Sequence, residues 1–334
     1  MAPGASMRVL FRVAAGPRIG YGHLVRATVL AQVMGTAAVV SLRGNADAGG
    51  TARRLGCRMM AGSARTLLST FQPDVVVIDD PSGIAATAWC RAARFAGVPV
   101  ASVHDIGIGY CGADLTIDGS VTLPGGVPDG PALLGPRYAI LAPCSRRAGS
   151  RNRTVLVALG GGPRRAMALA LARAIRAVCP DVAVRVAGGH ALKRVRPMAA
   201  GVVWLGPQRG LADELACASV AVVGGGVTLY EACREGTPTV AVAVARAQRP
   251  TIRAFVRAGA SLDGGPAYSP SASLAPLLER TPPMVGRLMS DASLRRRIGM
   301  TGASLIDGRG AARVARALTT MVRASGRSRR RGPS

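Results

Sequence analysis

Histidine is scarce in this 334-residue chain, and the three present are His23, His104 and His190. The first stands in Ile19-Gly20-Tyr21-Gly22-His23-Leu24-Val25-Arg26, directly after the apolar run Arg8-Val9-Leu10-Phe11-Arg12-Val13. A strand over residues 8–13, followed by helical apolar spacing from Leu24 to Val33, places Gly20, Gly22 and His23 where a strand-to-helix loop opens. Such loops lie at the end of a parallel sheet where α/β proteins hold ligands. Glycine lets the backbone turn tightly and approach a ligand closely. Histidine changes charge near neutral pH, so His23 in that place is a candidate general base that takes a proton from an attacking group. A turn glycine pair with a histidine capping the helix would use the same residues.

A second segment, Val220-Ala221-Val222-Val223-Gly224-Gly225-Gly226-Val227-Thr228-Leu229-Tyr230-Glu231, runs from an apolar strand through three glycines into a short helix that stops at Gly236-Thr237-Pro238. A turn of this kind presents backbone N–H groups and a positive helix end to a pyrophosphate. Glu231 is placed to accept hydrogen bonds from ribose hydroxyls. Thr228-x-x-Glu231 also fits a capping box, in which Glu231 would serve its own helix. A third run, Val155 to Leu159, ends in Gly160-Gly161-Gly162 and mirrors the first strand and its loop.

The elements that must position these groups alternate along the chain. Strands are expected near residues 8–13, 38–42, 75–78, 98–103 and 115–117, and again near 154–159, 182–187, 202–205, 220–223 and 239–244, with helical stretches between them. Residues 145–153 are polar, charged and glycine-containing, and read as a linker. This gives an α/β chain of two parallel-sheet halves flanked by helices, an N-terminal domain over 7–144 and a C-terminal, nucleotide-binding domain over 154–320. Residues 1–6 read as an unstructured extension, and 321–334 as a basic, disordered tail.

Composition narrows the class. The hydrophobic fraction of 49% with only 3% aromatics calls for cores of Val, Leu and Ala. No apolar run reaches the ~20 residues that span a bilayer, and no signal-peptide pattern opens the chain, so a cytoplasmic protein is expected. The net charge of +26 invites a nucleic-acid reading, but Lys193 is the only lysine among 43 basic residues. The arginines are scattered rather than striped with aromatics, so no specific nucleic-acid partner is expected. The tail, with Arg327, Arg329, Arg330 and Arg331 close together, suits peripheral contact with an anionic surface. Seven widely spaced cysteines without a Cys-x-x-Cys read as reduced, mostly buried small apolar residues. No metal-ligand spacing is present, and neither a metal nor a cofactor is expected. Asp79-Asp80 and His104-Asp105 each end a strand. Helix capping is the expected role of the first pair, and lining a sugar pocket is a role open to either.

The segment Arg12-x-x-x-x-x-x-Ile19-Gly20-x-Gly22-His23-x-x-Arg26 resembles the opening of the nucleotide-sugar hydrolases of the pseudaminic acid pathway, which act on UDP-2,4-diacetamido-2,4,6-trideoxy-β-L-altropyranose. The resemblance continues through Val75 to Asp79, Leu134-Gly135-Pro136-Arg137-Tyr138, Leu159-Gly160-Gly161 and Gly224-Gly225-Gly226-x-Thr228-x-x-Glu231. The last segment is also similar to the UDP-binding turn of the glycosyltransferase that makes the peptidoglycan lipid intermediate. The resemblance implies a GT-B fold, two Rossmann-like domains facing a cleft. It implies hydrolysis of a UDP-linked sugar at the anomeric carbon, with His23 as the base. Gly161, the glycines 224–226, Thr228, Glu231 and Gln248 would bind the nucleotide sugar, as would Gly20, Gly22 and Arg12. Arg12 or Arg26 is a further candidate for the diphosphate. A monomer is expected.

Three positions depart from the family pattern. An early acidic residue is replaced by Ala14, the Asn of an Asn-Gln pair by Ala247, and a polar Gly-Gly-Ser/Thr-Asp loop by Gly160-Gly161-Gly162-Pro163. Two other readings use the same residues: a glycosyltransferase that activates a hydroxyl acceptor in place of water, and a nucleotide-sugar-binding protein that has lost the chemistry.

Overall fold

The computed structural model describes residues 7–144, 152–160, 164–188, 201–206, 210–268 and 274–330. The N-terminal extension, residues 145–151 of the expected linker, Gly161 and His190 lie outside the described residues. The chain divides into two compact units, Met1–Leu141 with Arg309–Ser334, and Ala142–Gly308.

The first unit is built on β1 (Arg8–Ala14), β2 (Ala37–Arg43), β3 (Val75–Asp79), β4 (Val100–His104), β5 (Leu115–Asp118) and β6 (Ala132–Leu134), in the sheet order β2-β1-β3-β4-β5-β6. Every pairing is parallel. The reason is legible in the strands themselves. β3 and β4 are buried at every position, as strands covered by helices on both faces must be, and a run such as Val-Val-Val-Ile needs no polar alternation. On one face Leu10, Val76 and Ile78 pack with Leu67, Phe71 and Trp89 from the helices Ala64–Phe71 and Gly83–Phe95. The helix Gly22–Met34 packs on β1.

The second unit holds β7 (Asn152–Ala158), β8 (Ala183–Ala187), β9 (Val202–Leu205), β10 (Ala218–Gly224), β11 (Thr239–Ala243) and β12 (Leu262–Pro266), in the order β12-β11-β10-β7-β8-β9, again all parallel. Val155, Val157, Val220, Val222, Leu171, Ile175 and Leu288 centre its core. In each sheet the chain works outward from a central strand to one edge and then returns to the other side. The places of reversal, β1 beside β3 and β7 beside β10, are where open α/β sheets leave a crevice for ligands.

The apolar runs of the sequence coincide with every strand except β6 and β12. Both are edge strands with weak strand signals: β6 is three residues between Pro131 and Gly135, and β12 reads Leu-Asp-Gly-Gly-Pro with a shift in register against β11. Pro and Gly are tolerated at an edge, where one side of the strand needs no partner.

The C-terminus departs from expectation. The domain boundary at 320 and the disordered tail from 321 are replaced by one helix, Gly310–Arg330, that belongs to the N-terminal unit. It packs on the helix Gly22–Met34 through an apolar face in which Val314 and Leu318 are fully buried. Arg313 donates to the Arg137 carbonyl at 2.8 Å. The arginines near the end had masked this helical period in the sequence.

All seven cysteines are free thiols, but only Cys90 and Cys233 are buried, and Cys144 is exposed. Among the described residues, no helix is long and apolar enough to cross a membrane, and no group of three His, Cys, Asp or Glu side chains is placed to hold a metal ion.

Candidate active site

The loop after β1 is closed on itself. Gly16 and Gly20 exchange backbone hydrogen bonds of 3.0 and 2.7 Å, and Gly20 has φ +96°, a conformation open to glycine and strained for other residues. The turn delivers the chain into the helix Gly22–Met34, so Gly22 is its first residue and His23 lies in its first turn. Tyr21 is the N-cap residue and makes no side-chain cap, nor does His23 cap the helix.

His23 instead turns to β3. Register places Asp79 beside Val13 at the carboxyl end of the neighbouring strand, and His23 Nδ1 is 2.7 Å from Asp79 Oδ1. Arg26, one turn along the same helix, donates to both Asp79 oxygens, from Nε at 2.9 Å and from a terminal nitrogen at 2.8 Å. Its other nitrogen donates to Asp105 Oδ1 at 2.6 Å. Burial alone would raise the Asp79 pKa. The charge of Arg26 and the hydrogen bonds from Arg26 and His23 outweigh it, and the carboxyl is held well below its usual range.

An ionised carboxylate only accepts. The proton in the 2.7 Å contact therefore sits on Nδ1, and the neutral ring carries its lone pair on Nε2. Arg26 also lies 2.8 Å from Nδ1, but with that nitrogen's hydrogen given to Asp79 the guanidinium serves the two carboxylates. Nε2 makes no hydrogen bond among the described residues. The arrangement is an oriented imidazole with one nitrogen fixed by a buried carboxylate and the other free to take a proton.

Asp79 and Asp80 were expected to cap a helix, yet the helix Gly83–Phe95 is capped by Ser82. Successive strand residues point to opposite faces. Asp79 therefore meets His23 and Arg26, while Asp80 meets Arg43, at 2.9 and 2.5 Å, and Arg12, at 3.4 Å. Arg12 also donates to Ser41 and lies over the Trp89 ring, at 5.3 Å from its centroid. Arg12 and Arg26 are thus both engaged by carboxylates inside the unit. Of the other strand-end pair, Asp105 is engaged by Arg26 and His104 by Ser102, at 2.8 Å.

In the second unit, Gly224 ends β10, Gly225 follows, and Gly226 is the N-cap of the helix Val227–Arg234. Gly225 is required by packing: a Cβ there would meet Ile252 Cγ1 at 2.7 Å. Its N–H donates to Gln248 Oε1 at 3.2 Å, and Val244 N–H donates to the same oxygen at 3.0 Å. Gln248, expected beside the ligand, here braces the turn and occupies one N–H that had been assigned to phosphate. The first N–H groups of the helix have no partner within it, and Gly226 brings no side chain to cap them.

Thr228 is in the first turn of the helix and half-buried. The capping box is not formed, because the N-cap is Gly226 and Glu231 lies beyond the third helical position. Glu231 is 8% exposed and its carboxyl makes no hydrogen bond among the described residues. Burial pushes its pKa up to about 7, with Arg234 only partly opposing.

Sequence reasoning missed two contributors. Asp79 was assigned to capping because its partner strand was unknown. Arg164, half-buried just before the helix Arg165–Val178, reaches the Val244 carbonyl at 3.4 Å and so stands beside the residues that Gln248 holds. Its signal was a basic residue close behind a glycine-rich strand end.

Two Rossmann-like units of this topology make a GT-B fold, and comparisons with solved structures agree. A crystal structure of the glycotransferase of kitacinnamycin matches 96% of this chain and 100% of its own length, with TM-score 0.66 and 15% identity. The spinosyn rhamnosyltransferase SpnG matches 94% of this chain and 99% of its own, with TM-score 0.68 and 14% identity. A UDP-GlcNAc 2-epimerase from Neisseria meningitidis, bound to UDP-GlcNAc, matches 94% and 100%, with TM-score 0.61 and 11% identity. Likeness at these identities establishes the GT-B fold. No protein-family model matches the chain, and the comparison with curated proteins finds no match.

Proposed function

We propose that the chain is an enzyme that cleaves the anomeric C–O bond of a nucleotide-activated sugar, UDP-linked, and passes the glycosyl group to an oxygen nucleophile. The observation that carries this reading is the His23–Asp79 pair. Nε2 of His23 accepts the proton of the nucleophile as its oxygen bonds to the anomeric carbon, and the ionised Asp79 stabilises the imidazolium that results. General-base assistance of this kind contributes about 10²–10⁴-fold. Arg26 keeps Asp79 ionised and fixed without touching substrate, and so positions the base.

The C-terminal unit supplies the nucleotide grip. The uncapped N–H groups of the helix Val227–Arg234, with Arg164 close by, suit the charge that develops on the departing diphosphate. Glu231, buried without a partner, is fitted to accept from ribose hydroxyls. Gly161 is assigned to the same grip by resemblance alone.

With water as nucleophile the reaction is hydrolysis of the UDP-sugar, an amino or deoxy sugar of surface-glycan synthesis by the resemblance of the sequence. With a hydroxyl acceptor it is glycosyl transfer, which the kitacinnamycin and spinosyn enzymes of the same fold support as the second reading. The test is UDP release from a panel of UDP-sugars with and without hydroxyl acceptors. Release in buffer alone supports hydrolysis, release only with an acceptor supports transfer, and binding without release on every sugar overturns the enzymatic reading.

A further inference from the structure

Cys90 lies on the helix Gly83–Phe95 and is 2% exposed, while Cys111, in the loop between β4 and β5, is partly exposed. Their sulfurs are 3.2 Å apart, ~1 Å outside the ~2.05 Å of a disulfide bond. The loop has the freedom to close that gap. Gly109 and Gly112, on either side of Cys111, have φ +77° and +68°, and nothing stands within 4 Å of where a Cβ would be on either. His104 and Ser102, joined to each other at 2.8 Å, act electrostatically on the Cys111 sulfur. The contact with Cys90 favours the Cys111 thiolate; burial opposes it, His104 and Ser102 add to it, and the net direction is downward. The contact with Cys111 and burial push Cys90 upward.

We propose that Cys90 and Cys111 form an oxidisable dithiol that a hydroperoxide converts to an intramolecular disulfide. The accessible Cys111 thiolate attacks the peroxide. An S–O bond forms, the O–O bond breaks, and the departing oxygen leaves as an alcohol, or as water from hydrogen peroxide. The Cys90 sulfur then attacks the sulfenic sulfur, the S–S bond forms, and the hydroxyl leaves as water with the Cys90 proton. Two thiols and one peroxide thus give one disulfide, one alcohol or water, and one further water. The division of labour follows exposure: the reachable sulfur is the thiolate, and the buried one resolves it.

The bond fastens the loop to the helix Gly83–Phe95. That loop begins at Asp105, which Arg26 holds at 2.6 Å, and Arg26 in turn holds Asp79. Oxidation therefore places a tether one loop away from the pair that orients His23.

The experiment is peptide mapping of the full-length protein after graded hydrogen peroxide and alkylation of the remaining thiols. The expected result is a peptide pair joined through Cys90 and Cys111, lost on reduction with dithiothreitol, at peroxide doses that leave the exposed Cys144 alkylated. Cys90→Ala is expected instead to accumulate a dimedone-reactive sulfenic acid at Cys111. The proposal is overturned if wild-type protein shows both thiols still alkylated at doses that oxidise Cys144. It is equally overturned if Cys111 proceeds to sulfinic acid with no joined peptide. Because the deciding measurement uses wild-type protein, it does not depend on the variant's folding.

Discussion

At the scale of single residues, the candidate base is His23, but the side chain that makes it one is Asp79. The Gly-Tyr-Gly-His segment pointed to the histidine, since an imidazole at a strand-to-helix loop is legible from spacing. Its carboxylate was not legible, because it arrives from a strand 56 residues away whose place beside β1 only the topology reveals. We expect Asp79→Asn to lower turnover by roughly 10²–10⁴-fold while nucleotide affinity holds, since an amide can neither fix the Nδ1–H tautomer nor offset the imidazolium. An effect on affinity alone would assign Asp79 a purely structural role. The carboxylates also set the acid response. Asp79 and Asp80 lie below their unfolded pKa values, so their stabilisation is present above pH ~4 and is lost as pH falls through their folded values. Glu231 acts in the opposite sense: with a pKa raised to about 7, its burial costs stability progressively from pH ~4.5 up to about 7. A ligand hydroxyl bonds an ionised carboxylate more strongly than a neutral one. Uridine affinity, free of phosphate titration, is therefore expected to rise with pH through about 7 in wild type and to be flat in Glu231→Gln. Parallel profiles would remove Glu231 from the ribose site.

At the scale of elements, the turns were legible as glycine, and the structure separates their reasons. Gly20 is required by its φ of +96° and has open space around it, whereas Gly225 is required by Ile252. Alanine at 20 is expected to cost roughly 1–3 kcal/mol through backbone strain, with its effect on the His23 loop. Alanine at 225 is expected to cost about 1–3 kcal/mol through overpacking and to weaken UDP binding by displacing Gln248. Thermal melts with UDP titrations on both variants separate the two: Gly20→Ala should leave UDP affinity intact and Gly225→Ala should not. Loss of UDP affinity in the first would mean that the first unit also grips the nucleotide. The edge strands β6 and β12 were illegible because so little of either is buried on both faces, and strand recognition in this chain rested on continuous apolar runs.

At the scale of the whole molecule, the alternation of strands and helices was enough to show two parallel-sheet halves, and the segment-by-segment resemblance named the GT-B fold. The ownership of the last helix was not visible, since sequence order says nothing of which unit an apolar stripe returns to. The chain carries one tryptophan in each unit, Trp89 and Trp204, and no others. Leu318→Ala, which empties a fully buried site on the returning helix, is expected to destabilise the N-terminal unit by about 2–5 kcal/mol. In single-tryptophan variants the Trp89 transition should shift to lower denaturant while the Trp204 transition stays. A shift of Trp204 alone would assign the helix to the other unit.

The central claim is that His23 takes the proton of the nucleophile when the anomeric bond of a UDP-sugar breaks. It is tested most directly by UDP release from the best substrate of the panel, measured for wild type and His23→Ala with UDP affinity determined on the same samples. The account predicts a loss in turnover of roughly 10²-fold or more with UDP affinity unchanged. Turnover in His23→Ala close to that of wild type, per folded molecule, would contradict it.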